Sequence, residues 1–230
     1  MVKKAYKKKE EETVGRYADL ITSVSDDFCL RLYKLHKKPT IKVTNGFDIE
    51  DKIIKKNISK KKSALSKPLK IVYTGTIYSK ELSPVMLLDA IVNLVNKKKI
   101  PEKSIIIEFY GSRLDHIRKL SQKSKYSNLI SIKGHITRLQ VLEEQKKADL
   151  LLILARSKEI SRGDVSGKIF EYMSAGRPII CIGSRSDFEI GKVLRMTNTG
   201  QVFEKYDIKK LEDFIYKHYN GEGLFRNFKP

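Results

Sequence analysis

The chain has 230 residues, of which 47 are Lys or Arg and 27 are Asp or Glu, so its formal net charge is +20. Its 40% hydrophobic residues are enough for a sizeable core, which excludes wholesale disorder. All apolar runs are much shorter than the roughly 20 residues of a membrane-spanning helix, and the Lys- and Glu-rich N-terminus predicts no signal peptide. Two cysteines exclude a disulfide scaffold, and their spacing predicts no zinc site.

The first 46 residues predict a basic tail followed by a small strand–helix–strand unit. Asp19–Val24 and Ile41–Thr44 are typical of strands, and Asp26–Leu35 carries apolar residues on one helical face. The following stretch, 47–67, is polar and rich in Lys. We interpret it as a linker.

From Leu69 onward, apolar runs of strand length alternate with helical patterns. The predicted strands are Leu69–Thr74, Ile105–Phe109, Leu129–Ile132, Leu150–Leu154 and Pro178–Ile182. The predicted helices are Leu82–Leu94, Leu114–Leu120, Arg138–Lys147, Lys168–Ser174 and Asp207–Tyr219. Ser83 and Thr137 are expected to cap the first and third of these helices. The alternation predicts an α/β fold with a doubly wound parallel sheet, which binds ligands at the carboxyl ends of its strands.

The most specific stretch for function is Ser166–Ile180, where Lys168 and Glu171 begin a helix directly after Gly167. Free N–H groups at a helix start attract phosphate, and Lys168 would add a cation for a diphosphate. Glu171 could accept hydrogen bonds from two vicinal ribose hydroxyls. The alternative is a capped surface helix with an incidental ion pair between Lys168 and Glu171.

A second candidate is the loop after the first long strand, within Tyr73–Lys80. Gly75 would let a ligand approach the backbone, Thr76 follows it, and Lys80 could reach a phosphate. The spacing is not that of a P-loop. A plain turn between a strand and a helix is the alternative.

A third candidate combines the loops after the next two strands, which contain Gly111 and, further on, Gly134, His135 and Ile136. A planar base could lie against such a loop, and His135 could stack on it or form a hydrogen bond with it. The alternative is an exposed histidine. No arrangement of Ser, Cys, His and Asp predicts nucleophilic catalysis, so we assign no catalytic residue, and we predict no metal site.

Taken in order, these loops resemble the C-terminal, nucleotide-sugar-binding half of group 1 (family 4) glycosyltransferases of the GT-B fold. The resemblance covers residues 17–205, and GKIFEYMSAGRPII at 167–180 is its most specific part. NGFD at 45–48 resembles the element that joins the two lobes of these enzymes. Such enzymes retain the anomeric configuration of the sugar and need no bound metal or other cofactor.

The resemblance also implies roles for single residues. Glu171 matches the acid that holds the ribose hydroxyls, Lys168 the base near the diphosphate, and Lys80 a second phosphate-binding base, while Gly134 to Ile136 fall where the nucleotide base packs. The sequence departs from the family at two places. Gly163 stands where many members have an acid that contacts the donor sugar, and Thr76 stands where many have Arg.

The resemblance divides the chain into a remnant of the N-terminal acceptor lobe (1–46), the linker (47–67) and a Rossmann-like nucleotide-sugar-binding domain (68–230). It implies the donor-binding part of a glycosyltransferase that transfers sugar from a nucleoside-diphosphate sugar to a glycan or lipid-linked acceptor. Whether the chain is active without an acceptor lobe, supplied for example by a separate chain, stays open at this stage.

The Lys runs at 3–9 and 52–62 support an alternative, a noncatalytic binding protein for anionic membrane or nucleic acid. Nucleic acid is the less favoured partner, because no nucleic-acid-binding motif accompanies the charge. We expect a cytoplasmic location, with peripheral contact to the inner face of the membrane.

Overall fold

The structure, a computed structural model, describes residues 2–47 and 68–223, with side chains from residue 9 onward. Nearly all of the predicted linker, including the Lys run at 52–62, therefore lies outside the described residues, as do the side chains of residues 3–8. Two parallel sheets are present in the described ranges, one of two strands and one of six.

The larger sheet has the strand order β5-β4-β3-β6-β7-β8, and all neighbouring strands are parallel. Its strands are β3 (Leu69–Thr74), β4 (Ile105–Tyr110), β5 (Ile130–Gly134), β6 (Leu150–Leu154), β7 (Ile179–Ile182) and β8 (Gly200–Phe203). Its helices are α3 (Val85–Asn96), α4 (Asp115–Ser121), α5 (Ser124–Ser127), α6 (Arg138–Lys147), α7 (Lys168–Ser174), α8 (Glu189–Met196) and α9 (Ile208–Tyr219). A single 3-10 turn, Glu159–Ser161, lies between β6 and α7.

Both faces of the larger sheet are buried, which explains why its strands are almost continuously apolar. Successive side chains of β3 point to opposite faces, so Ile71 and Tyr73 belong to one core and Val72 to the other. The first core contains apolar residues of α3, α4 and α9, and the second contains those of α7 and α8. The fold is thus the predicted doubly wound α/β sheet.

The order of the strands reverses between β3 and β6, which are neighbours in the sheet but far apart in the chain. At such a switch point the loops after the two strands turn in opposite directions and leave a crevice at the carboxyl edge. The residues that follow Thr74 and Leu154 lie at this edge. The loop after Thr74, which the sequence analysis gave as a candidate site, therefore lies at the switch point.

The N-terminal residues form a smaller unit beside this edge. It contains α1 (Val2–Tyr17), β1 (Ile21–Ser23), α2 (Asp26–His36) and β2 (Thr40–Lys42), and β1 pairs with β2 in parallel. Ser25 caps α2 by accepting a hydrogen bond from Phe28 N. Arg31 donates to the carbonyl of Ile160 at 3.0 Å, which joins the unit to the larger domain.

Several elements differ from the sequence prediction. The basic tail is the helix α1, whose charged Lys and Glu residues favour helix without giving any apolar periodicity. The first long helix begins at Val85 with Pro84 rather than Ser83 at its N-cap. The sequence analysis also missed α8 and β8 entirely.

Candidate functional site

A cleft of about 630 Å³ opens at the carboxyl edge of the larger sheet. The ends of β3 and β4, the loop after β5 and the first turns of α6 and α7 line it. Eight of the predicted site residues line this cleft: Gly75, Thr76, Gly111, His135, Ile136, Gly167, Lys168 and Glu171. The structure thus brings together four segments that are well separated in the sequence, although their role in binding stays a prediction.

The other two predicted residues, Lys80 and Gly134, do not line the cleft. The loop after Gly75 follows the neighbouring strand, since Ile77 N donates to the carbonyl of Ser112 at 3.3 Å. This path takes Lys80 to an exposed position near His116, where its charge contributes, after burial, to lowering the pKa of that imidazole. Gly134 ends β5 and accepts a hydrogen bond from Gly111 N at 2.7 Å, so its role is in the backbone.

Lys168 lies between this cleft and a second cavity of about 310 Å³, since its side chain lines both. Its Nζ donates to Tyr73 Oη at 3.3 Å and lies 4.4 Å from the centre of the Tyr73 ring. Burial lowers the pKa of this amine to about 8, although the charge of Glu171 acts in the opposite direction. No carboxylate among the described residues lies within 4.0 Å of Nζ, so an anion in the cleft would complete this site.

The start of α7 offers fewer free backbone donors than the sequence suggested. Lys168 N donates to Ser166 Oγ at 3.3 Å, and Ile169 N donates to the carbonyl of Ser166 at 3.0 Å. Phe170 N likewise donates to the carbonyl of Gly167 at 3.1 Å. The expected contribution of helix-start amides is therefore small, and the Lys168 ammonium is the main positive group at this end of the cleft.

Glu171 lies one turn further along α7 with its side chain 23% exposed. Arg138, the first residue of α6, donates to Glu171 Oε1 at 2.7 Å, and Gln145 donates to Oε2 at 3.4 Å. The incidental ion pair between Glu171 and Lys168 that the sequence left open is therefore not formed. The carboxylate instead joins α6 to α7 at the edge of the cleft.

The wall formed by α6 is held mostly by polar contacts. Thr137 and Gln140 form a capping box at its start, as the sequence predicted for Thr137. On the sheet side, Lys70 lies 2.6 Å from both Glu108 Oε2 and Glu144 Oε2. Burial would raise the pKa of Glu144, but hydrogen bonds from lysines, Lys70 first, lower it to about 2.

Gly163 and Asp164 occupy the place where the resemblance noted in the sequence analysis implies an acid. A Cβ at Gly163 would lie 2.6 Å from Ser25 Oγ and 2.7 Å from a ring carbon of Phe28, so the start of α2 leaves room only for glycine. Asp164 next to it lines the second cavity. The packing of the N-terminal unit thus gives a steric reason for glycine at position 163.

Sequence reasoning missed Tyr73, Arg138 and Gln145 as members of the site. Their partners are 95, 33 and 26 residues away in the sequence, so no local spacing indicates that these three residues belong to the site. The only local signal is the polar Gln145 at a position of α6 that turns out to be fully buried.

Within 2–47 and 68–223, no group of three or more His, Cys, Asp or Glu could hold a metal ion. None of the helices in these ranges has the length and apolar character to cross a membrane.

A doubly wound parallel sheet with a cleft at its switch point has the architecture in which open α/β domains bind their ligands. The chain belongs to the family of group 1 glycosyl transferases, whose family model matches residues 68–220. A comparison with curated proteins gives no match.

Comparison with solved structures gives the same fold. A variant of TarM from S. aureus, in complex with fondaparinux, alpha-GlcNAc-glycerol and UDP, matches with a TM-score of 0.64 and 16% identity over 96% of this chain. WaaG, a glycosyltransferase involved in lipopolysaccharide biosynthesis, matches with a TM-score of 0.65 and 14% identity over 90% of this chain. The chain spans 41% and 55% of these two proteins. Its fold is therefore that of part of a GT-B glycosyltransferase.

Proposed function

We propose that the chain is the donor-binding part of a glycosyltransferase, and that the cleft binds a nucleoside-diphosphate sugar. Family membership supports glycosyl transfer in general. Two of the similar structures, TarM and the pneumococcal O-GlcNAc transferase GtfA, are complexes with UDP. The transfer goes to a glycan or lipid-linked acceptor with retention of the anomeric configuration.

The observation that carries this proposal is the placement of Lys168 and Glu171 on one turn of α7 at the switch-point cleft. Lys168 is a partly buried cation with no carboxylate among the described residues within 4.0 Å of its Nζ, and a diphosphate would supply that contact. Glu171, at the same edge, accepts hydrogen bonds from the ribose hydroxyls. During transfer, the Lys168 ammonium would stabilise the charge that develops on the leaving diphosphate.

The second cavity is the place of the donor sugar in this proposal. It shares Thr76, Ser166 and Lys168 with the nucleotide cleft, so a sugar attached to a diphosphate at Lys168 extends into it. Asp164 lines this cavity as well and is the acid nearest in sequence to the family position that Gly163 occupies.

Isothermal titration calorimetry with UDP and with GDP tests the proposal. We expect one of the two to bind, and Glu171→Ala to weaken binding by about tenfold or more, because a hydrogen bond to a charged group is lost. Asp213→Ala is the matched control, since Asp213 is an exposed carboxylate on α9 that is paired with Lys217. Equal affinities of the two variants, or no heat with either nucleotide at millimolar concentration, would contradict the proposal.

We also propose that the acceptor is bound by a second α/β lobe that contacts the N-terminal unit. Catalysis requires that donor and acceptor are held together in a reactive geometry. The unit β1–α2–β2 exposes several large apolar side chains, which favour contact with another surface: Leu30, Tyr33, Leu35, Ile41 and Val43. Sugar transfer by the 230-residue chain alone, to acceptors added in solution, would contradict this part of the proposal.

A further inference from the structure

Gln145 is a fully buried polar residue on α6, at 0% exposure. Apolar side chains are the usual occupants of such helix positions. Its amide nitrogen donates to Thr74 Oγ1 at 3.0 Å and to Glu171 Oε2 at 3.4 Å. The two N–H bonds of one amide are therefore directed at acceptors on two other elements, β3 and α7.

The orientation of the Gln145 amide is set by Glu171. The amide oxygen of Gln145, Oε1, is buried with no hydrogen-bond donor among the described residues. A rotation that exchanged the nitrogen and oxygen would place that oxygen against the carboxylate of Glu171, which is repulsive. An apolar side chain at this position would avoid burying an amide oxygen without a partner. The amide adds two hydrogen bonds that an apolar side chain could not form, one to Thr74 and one to Glu171.

The buried and the exposed side of Glu171 are held differently. Arg138 binds Oε1 with a side chain that is 54% exposed, so an incoming ligand can compete with it. Gln145 binds Oε2 from the core and is itself fixed by Thr74, whose hydroxyl is also 3.2 Å from the Tyr172 hydroxyl. Tyr172 in turn accepts a hydrogen bond from Thr74 N at 2.9 Å.

We propose that Gln145 is a positioning residue that orients the Glu171 carboxylate toward the two vicinal hydroxyls of the donor ribose. The site then selects ribonucleotides over nucleotides that lack these hydroxyls. This inference rests on the proposed function, because it assumes that Glu171 faces the ribose. Gln145 itself contacts no part of the ligand, since it does not line the cleft.

The test compares the dissociation constants of UDP and GDP with those of their 2′,3′-dideoxy analogues. In the unmodified protein we expect the loss of both hydroxyls to weaken binding by about tenfold or more. In Gln145→Met this ratio should fall to about twofold, while the affinity for the dideoxy analogue stays the same within about twofold. Leu142→Met is the matched control, because it alters another buried position of α6 and should keep the ratio of the unmodified protein.

Three other results would contradict either the inference or the proposed function. A ribose preference that persists in Gln145→Met would overturn the inference and leave the proposed function intact. Equal weakening of the ribose and dideoxy nucleotides would show that Gln145 only supports the fold, and would overturn the inference as well. Absence of any nucleotide binding by the unmodified protein would overturn the proposed function first. If Gln145→Met does not fold, Gln145→Leu is measured in the same way, because leucine suits a buried helix position.

Discussion

Replacing Lys168 with methionine should have opposite effects on stability and on donor binding. The pKa of the buried amine falls from 10.5 to about 8 in the folded protein, which at about 1.4 kcal/mol per pH unit corresponds to about 3 kcal/mol. Without a bound anion, the charged amine therefore lowers the free energy of unfolding by about this amount. Met keeps a similar length and apolar stem without the charge.

The gain in stability from Lys168→Met should become smaller as the pH rises. Below pH 8 the amine is charged in both the folded and the unfolded chain, so the full cost is present. Between pH 8 and pH 10.5 the unfolded chain binds more protons than the folded one, so this group makes stability rise with pH. We expect Lys168→Met to be up to about 3 kcal/mol more stable than the unmodified protein at pH 7, and about 1.5 kcal/mol more stable at pH 9.5.

Urea unfolding of the ligand-free proteins at the two pH values measures this difference. Lys192→Met is the matched control, since Lys192 is 46% exposed and lies 3.6 Å from Glu189 Oε2, and it should give no gain. In calorimetry, Lys168→Met should bind the nucleotide at least tenfold more weakly. The affinity of the unmodified protein for a nucleoside-diphosphate sugar should fall by up to about tenfold per pH unit above pH 8. A variant that is less stable at pH 7, or a pH-independent affinity, would refute the reasoning.

Two further predictions concern the elements that support the cleft. The contribution of Glu144 is present above its ordinary pKa of 4.5 and is lost as the pH falls toward its folded value of about 2, so the unmodified protein should lose up to about 3 kcal/mol over this range. Lys70→Met should destabilise the protein by about 3 kcal/mol at pH 7, and its stability should fall less between pH 7 and pH 3 than that of the unmodified protein. Urea midpoints equal to those of the unmodified protein at both pH values would contradict this prediction. Gly111→Ala, which places a Cβ 2.1 Å from the Gly75 carbonyl oxygen, should cost about 3 kcal/mol or more. Gly134→Ala, where φ is +74° but the space is open, should cost about 1 kcal/mol, and equal losses of melting temperature would contradict this difference.

The sequence predicted the fold best where the pattern of residues is local. Lys168–Ser174 and Arg138–Lys147 have the predicted bounds, the second because Thr137 caps it. The parallel, doubly wound arrangement of the sheet followed from the alternation of strands and helices. In contrast, α1 has charged residues on all sides and gave no periodic signal.

The site was predictable only in part for a similar reason. Glycines and polar residues after buried strands meet at one edge of a parallel sheet, so Gly75, Gly111 and His135 came together as expected. The position of Lys80 depends on the path of a loop that bonds to Ser112, a tertiary contact that spacing does not encode. The partner of Glu171 was likewise not predictable, because the carboxylate binds Arg138, which is 33 residues away, rather than Lys168, which is three residues away.

The polar groups behind α6 and those next to the cleft are paired to different extents. Behind the wall of α6, Lys70 is paired with two carboxylates, and the Tyr110 hydroxyl donates to one of them at 2.8 Å. Next to the cleft, Lys168 is a partly buried cation with no carboxylate among the described residues within 4.0 Å of its Nζ. Gln145, behind the cleft, keeps an amide oxygen without a donor among the described residues. The Lys168 cation and the unpaired Gln145 amide oxygen both lower the stability of the fold. Both residues lie close to Glu171: Lys168 is one turn before it on α7, and Gln145 donates to its carboxylate. A region that served only to stabilise the fold would favour apolar side chains at these positions, whereas a diphosphate and a ribose would use the charge of Lys168 and the fixed carboxylate of Glu171.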